Sequence, residues 1–301
     1  MREQYDEFAM FGENIAEFGL EVDSHPVVSR ESVALDDGRV ISALRWGVGD
    51  PVAVLVHGGG QNAHTWDTVA LALGVPVLAV DLPGHGHSSW RDDGTYDTES
   101  MADDIAVAIR SLAPTARVIV GMSLGGLTSL ALADRHPNLV RSLVLVDITP
   151  GVTPTKVKAV TDFINGPQAF ASFDDLLQRT IEHNPTRSVS SLRRGILHNA
   201  RQLDDGSWEW RYDRRKARAA SAGETAEVPA AVRDWWAVIG GLVCPIMLVR
   251  GAASPVVDDE DVAELRRRRA DAVVHVVEQA GHSVQGDQPV RLAAILRPLL
   301  G

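Results

Sequence analysis

One serine of this sequence stands in a setting that suits a nucleophile. The run Gly121–Gly125 places Ser123 in a G-x-S-x-G pattern, after an apolar stretch typical of a strand and before a helical pattern. Glycines permit a sharp turn that lifts the hydroxyl above a sheet, and the following helix N-terminus offers N–H groups to a developing oxyanion. The pattern predicts acyl transfer at Ser123, and a tight turn without chemistry is the alternative.

A nucleophilic serine needs a base within hydrogen-bond reach, and the chain has ten histidines. His282 follows Gly281 in a short predicted loop after the last strand, and it comes later in the chain than Ser123. We therefore predict that His282 is the general base. Three other histidines lie in glycine-rich turns and are interpreted as structural, and six have no matching context. The first group is His57, His85 and His87, and the second is His25, His64, His136, His183, His198 and His275.

Four short runs together resemble those of the α/β-hydrolase superfamily. They are His57–Gly60, Asp81–Gly86, Gly121–Gly125 and Gly281–His282. The resemblance extends from about Ser32 to Gly301 apart from a variable cap, and it is specific for the superfamily but not for a substrate. It implies that the backbone N–H groups of Gly59 and Leu124 hold the oxyanion. Gly60 is expected beside the substrate as a weaker donor.

The acid of the expected triad departs from the commonest pattern of that superfamily. Most members carry an aspartate in a G-x-x-D run after the strand that follows the cap, but here Ser254 takes that position and has no carboxylate. Some members place the acid at the end of the strand after the nucleophile, where this chain has Asp147. We therefore predict Asp147 as the acid. The alternatives are Asp258 and Asp259, whose other role would be to cap a helix.

Short apolar strands and helical patterns alternate through most of the chain. Segments Ser32–Leu35 and Val40–Trp46 flank a turn sequence and predict a hairpin. Further strands are expected at Val52–Val56, Val75–Val80, Arg117–Gly121, Leu143–Val146, Val243–Val249 and Val273–Val277, and helices at Thr65–Leu73, Ser100–Leu112 with Ser100 as N-cap, Leu124–His136, Asp258–Arg269 and from about Pro289. Apolar strands between helices predict a mostly parallel sheet with helices on both faces, as the α/β-hydrolase fold has.

The alternation stops between about Gly151 and Gly240, where helical segments predominate. An insertion at this point predicts a helical cap over the active site, placed after the sixth strand. We therefore divide the chain into an N-terminal extension (residues 1–30), a core (residues 31–150 and 241–301) and a cap (residues 151–240).

The N-terminal extension is acidic and carries an apolar stripe. Phe8, Phe11, Ile15 and Phe18 recur at helical spacing, which predicts a helix with one apolar face. A helix docked on its own domain is the favoured interpretation. A dimer contact or a flap near the active site is the alternative.

Tryptophans are concentrated in the predicted cap, which holds four of the seven. Aromatic side chains commonly line pockets for apolar molecules, and alternation across residues 205–212 puts Trp208 and Trp210 on one face. We predict that Trp208, Trp210, Trp66 and Met122 line the substrate site. Packing of the tryptophans inside the cap's own core is an equal alternative.

Charge and composition exclude several classes of protein. The net charge of -11 disfavours nucleic-acid binding, no apolar run is long enough to span a membrane, and the lone Cys244 cannot form an internal disulfide. We expect a cytoplasmic monomer or homodimer that acts on a small molecule. No cofactor or metal is expected, because the chain shows no clustered Cys/His spacing and no phosphate-binding loop.

The residues together predict hydrolysis of an ester or lactone of an apolar or aromatic small molecule through an acyl-enzyme. Two other functions stay open. One is a cofactor-free enzyme of the same fold, such as a carbon–carbon bond hydrolase or a dioxygenase. The other is a hydrolase-like ligand receptor with slow turnover.

Overall fold

An eight-stranded sheet forms the centre of this computed structural model, which describes residues 5–22, 26–184, 187–214 and 233–301. The strands are β1 (Val28–Ala34), β2 (Val40–Trp46), β3 (Ala53–Val56), β4 (Val77–Val80), β5 (Val118–Met122), β6 (Leu143–Val146), β7 (Ala169–Phe170), β8 (Ala200–Gln202), β9 (Trp208–Trp210), β10 (Ile246–Gly251) and β11 (Val273–Val277). The order in the central sheet is β1-β2-β4-β3-β5-β6-β10-β11. Strand β2 pairs antiparallel with β1 and β4, and the other neighbours are parallel. The predicted hairpin and the mostly parallel sheet are confirmed.

Helices cover both faces of this sheet, because the strands are apolar on both sides. The helices among the described residues are α1 (Phe11–Phe18), α2 (Asp67–Leu73), α3 (Thr98–Leu112), α4 (Leu124–Arg135), α5 (Lys158–Ile164), α6 (Phe173–His183), α7 (Val189–Asn199), α8 (Trp235–Gly241), α9 (Asp259–Arg268), α10 (Val284–Asp287) and α11 (Pro289–Leu296). Side chains of α3, α4, α8 and α9 pack in one apolar cluster, and those of α1, α2 and α11 pack in another. Neighbouring residues of β3 point into different clusters, as the two-residue period of a strand requires.

One predicted helix begins earlier than expected. Helix α3 has Asp97 as its N-cap, and the Asp97 carboxylate accepts a hydrogen bond of 2.8 Å from the Ser100 backbone N–H. The prediction of Ser100 as N-cap was therefore wrong. Asp97 is also a residue type that caps helices, and its carboxylate accepts from an N–H group of the first turn, that of Ser100.

The cap follows β6 and contains more than the helices that the sequence predicted. Beside α5, α6 and α7 it has a three-stranded antiparallel sheet in the order β7-β9-β8. Gly206, at a φ of +87°, turns the chain between β8 and β9. Residues 185–186 and 215–232 of the predicted cap lie outside the described residues.

The N-terminal helix α1 packs on its own domain, as the apolar stripe predicted. The ring centroids of Phe11 and Trp46 are 4.8 Å apart, and Phe8 and Ile15 border the same apolar cluster. The extension is shorter than the predicted residues 1–30, because β1 begins at Val28. Residues 1–4 and 23–25, which include His25, lie outside the described residues. Within the described part of the chain, no helix is long and apolar enough to cross a bilayer.

Candidate active site

Ser123 lies at a strained turn between the end of β5 and the start of α4. Its φ of +50° and ψ of -120° are rare for a residue with a side chain. A Cβ atom on Gly125 would lie 2.3 Å from the carbonyl oxygen of His57 and 2.4 Å from that of Val56. Because these are backbone atoms that have no room to move, glycine at position 125 lets α4 start directly above the sheet.

We expect Gly125→Ala to destabilise the protein by at least about 2 kcal/mol, because the new methyl group overlaps two carbonyl oxygens. Gly195→Ala is the matched control. Gly195 lies inside α7, and a methyl group added there would have no atom within 4 Å, so the higher helix propensity of alanine should stabilise by up to about 1 kcal/mol. Chemical unfolding of both variants measures the difference, and equal stabilities would contradict this account of the turn.

The structure brings Ser123, His282 and Asp147 into one hydrogen-bonded chain. His282 Nε2 lies 3.0 Å from Ser123 Oγ, and His282 Nδ1 lies 2.7 Å from Asp147 Oδ2. A carboxylate only accepts, so the Nδ1–H group of His282 donates to Asp147 and leaves Nε2 free to accept the serine proton. These are the contacts that general-base activation of Ser123 requires.

Asp147 is fully buried and held by three donors. Its Oδ1 accepts a bond of 2.9 Å from the Gly251 backbone N–H, and its Oδ2 accepts from the Ser254 hydroxyl as well as from His282. Its backbone has a φ of +51°, so the turn after β6 is strained like the turn after β5. Three donors compensate for the removal of this carboxylate from water.

The two alternative acids serve other purposes. Asp258 caps α9 in a reciprocal pair with Asp261, and a hydrogen bond from Lys156 holds the pKa of Asp258 down to about 2. The Asp259 side chain is 92% exposed and pairs with Arg250. The capping role that the sequence offered as the alternative is the one that the structure shows for Asp258.

Ser254 is a contact that sequence reasoning missed. It stands where most members of the superfamily have the acid, and its lack of a carboxylate excludes it as the acid of the triad without indicating a contact with Asp147. The structure places its hydroxyl on Asp147, and the same oxygen accepts a bond of 3.1 Å from the Val256 N–H. The departure from the G-x-x-D pattern was a signal for this contact, because the superfamily places the side chain of that position beside the catalytic histidine. A polar residue at position 254 is therefore expected near the triad.

We expect Ser254→Ala to lower kcat/KM about 10-fold, the usual effect of one lost hydrogen bond to a charged group. Ser254→Thr keeps the hydroxyl and serves as the control. An unchanged kcat/KM in Ser254→Ala would show that the serine contributes only to packing.

Two backbone N–H groups near Ser123, those of Gly59 and Leu124, are predicted from the sequence to bind an oxyanion. Within the described chain, neither the Gly59 nor the Leu124 N–H has a hydrogen-bond acceptor, and a Cβ on Gly59 would lie 3.9 Å from that of Leu124. The Gly60 N–H donates instead to His85 Nε2 at 3.1 Å. Gly60 therefore borders the site but is not available as a donor.

His57 and His85 support the loops of the site from below. His57 Nε2 accepts from the Leu82 N–H at 2.9 Å, and burial lowers the pKa of His57 to about 3. A neutral imidazole that is fully engaged in this way cannot compete with His282 for the serine proton. The structural role predicted for both histidines agrees with these contacts.

A cavity of about 350 Å³ opens above Ser123 between the core and the cap. This volume is within the range of small-molecule sites. Met122, Gly60 and Trp210 line it, as predicted, together with Ser123 and His282.

Two of the predicted pocket residues lie elsewhere. Trp66 is completely buried among the apolar residues between α2 and the sheet, and Trp208 packs on Phe173 inside the cap with ring centroids 5.0 Å apart. The prediction that Trp66 and Trp208 line the cavity was therefore wrong. Packing among the apolar residues of α2 and the sheet encloses Trp66, and packing on Phe173 encloses Trp208, so neither ring faces the cavity.

Residues far away in the sequence complete the wall. Phe18 and Asn14 of α1 and Phe163 of α5 line the cavity. The Arg194 guanidinium of α7 pairs with Glu17 of α1, so the N-terminal helix also holds the cap. Docking on its own domain and a position near the active site were alternative predictions for α1. The structure shows both, because α1 packs on the core and also lines the cavity.

One cluster beside the cavity has the residue types of a metal site. The ligand atoms of His64, Asp67 and His198 lie within 4.8 Å of one another. The two imidazole rings stack at 3.7 Å with an angle of 10°, so their lone pairs do not converge on one point. Burial opposes a charge on His64, but Asp67 and then Glu7 raise its pKa to about 9, and a buried ion pair accounts for the cluster. Sequence reasoning missed it because His198 is distant along the chain.

Comparison with known proteins gives consistent matches. A model described as the alpha/beta hydrolase family matches residues 53–295. Over 302 positions, which cover 98% of this chain and 96% of the relative, the sequence is 46% identical to esterase Rv0045c of Mycobacterium tuberculosis. It is 30% identical to the 2-(acetamidomethylene)succinate hydrolase of Mesorhizobium japonicum, over 87% of this chain and 92% of that protein. A solved structure of the M. tuberculosis esterase has a TM-score of 0.83 and 45% identity over 99% of both chains.

Proposed function

Since this chain belongs to the alpha/beta hydrolase family, we propose that it cleaves carboxylic esters of small molecules through an acyl-enzyme. The observation that carries this proposal is the hydrogen-bonded chain from Ser123 through His282 to Asp147 beneath the cavity. The esterase name of a relative 46% identical over nearly the whole chain supports ester cleavage here.

The proposal gives each of these groups a role in the reaction. Ser123 Oγ attacks the ester carbonyl while His282 Nε2 takes its proton, and the N–H groups of Gly59 and Leu124 bind the developing oxyanion. His282 then returns the proton to the leaving alcohol, which leaves the acyl group on Ser123. A water molecule, activated by His282 in the same way, releases the acid. Asp147 holds the tautomer and stabilises the imidazolium that forms in each half of the reaction.

The cavity wall supports an apolar, ring-containing ester. Phe18, Phe163 and Trp210 present aromatic surface to the cavity, although only Trp210 was expected there. Aromatic walls bind apolar groups through buried area and ring contacts. Lactones with an aromatic ring belong to the same proposal, because ring opening uses the same acyl-enzyme step. The cytoplasmic location and the choice between monomer and homodimer remain predictions from the sequence.

A panel of aryl esters, alkyl esters and aromatic lactones tests this proposal with the wild-type protein. We expect release of acid and alcohol from at least one aryl ester, without added metal or cofactor. Turnover of a β-diketone, or oxygen consumption with the esters untouched, would instead indicate the carbon–carbon hydrolase or dioxygenase. A ligand that raises the melting temperature strongly but is barely hydrolysed would indicate the receptor.

A further inference from the structure

A guanidinium group from the cap enters the same cavity. Arg187, just before α7, lines the cavity, and its Nη2 donates to Ser191 Oγ at 2.6 Å. Its other side faces Gly286 of α10, the helix that begins two residues after His282. A Cβ on Gly286 would lie 3.1 Å from Arg187 Cζ and 3.2 Å from Nη1, so the missing side chain at position 286 makes room for the guanidinium.

In the part of the chain that the structure describes, the charge of Arg187 has no close counter-ion. Among the described residues, no carboxylate oxygen lies within 4.0 Å of its guanidinium, and its Nε is buried without a hydrogen-bond partner. Burial is the largest influence on Arg187 and lowers its pKa below the ordinary value, although Asp287 and Glu17 attract the charge from farther away. The Asp287 carboxylate is engaged with the Gly281 N–H at 2.8 Å.

Another arginine of the cavity shows the contrast. Arg194 pairs with Glu17 and lies 3.4 Å from Glu13, so its charge is already compensated within the protein. A buried charge without a partner costs free energy, and an anion that binds there recovers it. Arginine is suited to this role because its planar fork donates two parallel hydrogen bonds to a carboxylate.

We propose that Arg187 binds a carboxylate of the substrate, so that the preferred ester carries an anionic group on its acyl or alcohol part. This inference rests on the proposed ester hydrolysis and names the class of ester. The overall charge of -11 repels anions, so a preference for an anionic ester has to arise locally, from the cavity itself.

Two matched pairs of substrates test the role of Arg187. The first pair is 4-nitrophenyl hydrogen adipate and its neutral amide, 4-nitrophenyl adipamate, which differ only at the far end of the acyl part. The second pair is 4-acetoxybenzoate and 4-acetoxybenzamide, which differ in the alcohol part. Each kcat/KM is divided by the rate of hydrolysis by hydroxide, which removes differences in intrinsic reactivity.

We expect the wild type to prefer the anionic member of at least one pair. Arg187→Gln should lower that preference about 10- to 100-fold, as expected for a lost charge-assisted interaction, and Arg187→Lys should retain part of it. Arg201→Gln is the control, because Arg201 is an exposed cap residue paired with Glu209, and it should keep the wild-type preference. If neither pair shows a preference in the wild type, or if Arg187→Gln leaves the preference unchanged, the inference is wrong.

A second measurement does not depend on a folded Arg187 variant. The product that keeps the distinguishing carboxylate, adipate or 4-hydroxybenzoate, should inhibit the wild type at least about 10-fold more strongly than adipamide or 4-hydroxybenzamide, which carry no carboxylate. Equal inhibition overturns the inference. If the anionic and neutral members of each pair are hydrolysed equally well, only the role of Arg187 is contradicted. If hydrolysis persists in Ser123→Ala, the proposed function itself is contradicted.

Discussion

Replacement of Ser123 by alanine should lower kcat/KM for an aryl ester by about four to six orders of magnitude, because the attacking oxygen is removed. The residual rate should come from the oxyanion donors Gly59 and Leu124 and from binding alone. KM should change far less than kcat, since the hydroxyl contributes mainly to the transition state. Steady-state kinetics with a chromogenic ester measure both values.

Ser129→Ala is the matched control for this variant. Ser129 is a buried serine of the same helix, and its hydroxyl donates to the Gly125 carbonyl at 2.6 Å without reaching the cavity. Loss of this local bond should change activity less than about 10-fold. If Ser123→Ala retains more than a few per cent of wild-type activity, Ser123 does not act as the nucleophile.

Asp147→Asn is expected to lower kcat about 10⁴-fold at neutral pH, the effect known for the same change in a serine–histidine–aspartate triad. An amide that donates its N–H to His282 Nδ1 selects the tautomer with the proton on Nε2, which cannot accept from Ser123. The Gly251 N–H still donates to the amide oxygen, and the second N–H of the amide can donate to the Ser254 hydroxyl oxygen, so the fold should persist. Circular dichroism and the pH–rate profile accompany the kinetics.

Asp258→Asn separates this effect from a general loss of negative charge. Asp258 caps α9 and pairs with Lys156, so its loss should cost up to about 1 kcal/mol of stability and leave kcat within a few-fold of wild type. A larger kcat effect in Asp258→Asn than in Asp147→Asn would assign the acid to Asp258 and contradict the geometry.

The sequence predicted that Ser123, His282 and Asp147 come together because each stands at the end of a strand or in the loop after it. Ser123 follows β5 and Asp147 follows β6, and these strands are parallel neighbours in the sheet. The carboxyl ends of parallel strands meet at one edge, so short apolar runs followed by polar residues were enough to predict which side chains come together. The position of His282 after β11 followed from the same reasoning.

The cavity wall was much harder to predict. Whether an indole faces a cavity or a core depends on which element packs over it, and that is set by contacts between distant segments. Trp66 and Trp210 look alike in the sequence, yet one is enclosed by α2 and the sheet while the other faces the substrate space. The same limit hid the contribution of Phe18, whose helix reaches the cavity only through packing on the core.

The small cap sheet illustrates a different limit. Strands β7, β8 and β9 have only two or three residues each, too few for an alternating pattern to stand out from a loop. The alternation across residues 205–212 predicts that Trp208 and Trp210 share one face, and both side chains are buried with the less buried Glu209 between them. The alternation does not indicate which strands pair with this segment. Pairing between segments is a tertiary property that a single strand does not encode.

Detection of the acyl-enzyme tests the central claim most directly. The wild type is mixed with an aryl ester, quenched with acid within the first turnover and digested for mass spectrometry. We predict one acyl group on the peptide that contains Ser123, and none on the same peptide of Ser123→Ala. Turnover with no acylated peptide, or an acyl group on a different residue, would contradict the nucleophilic role of Ser123.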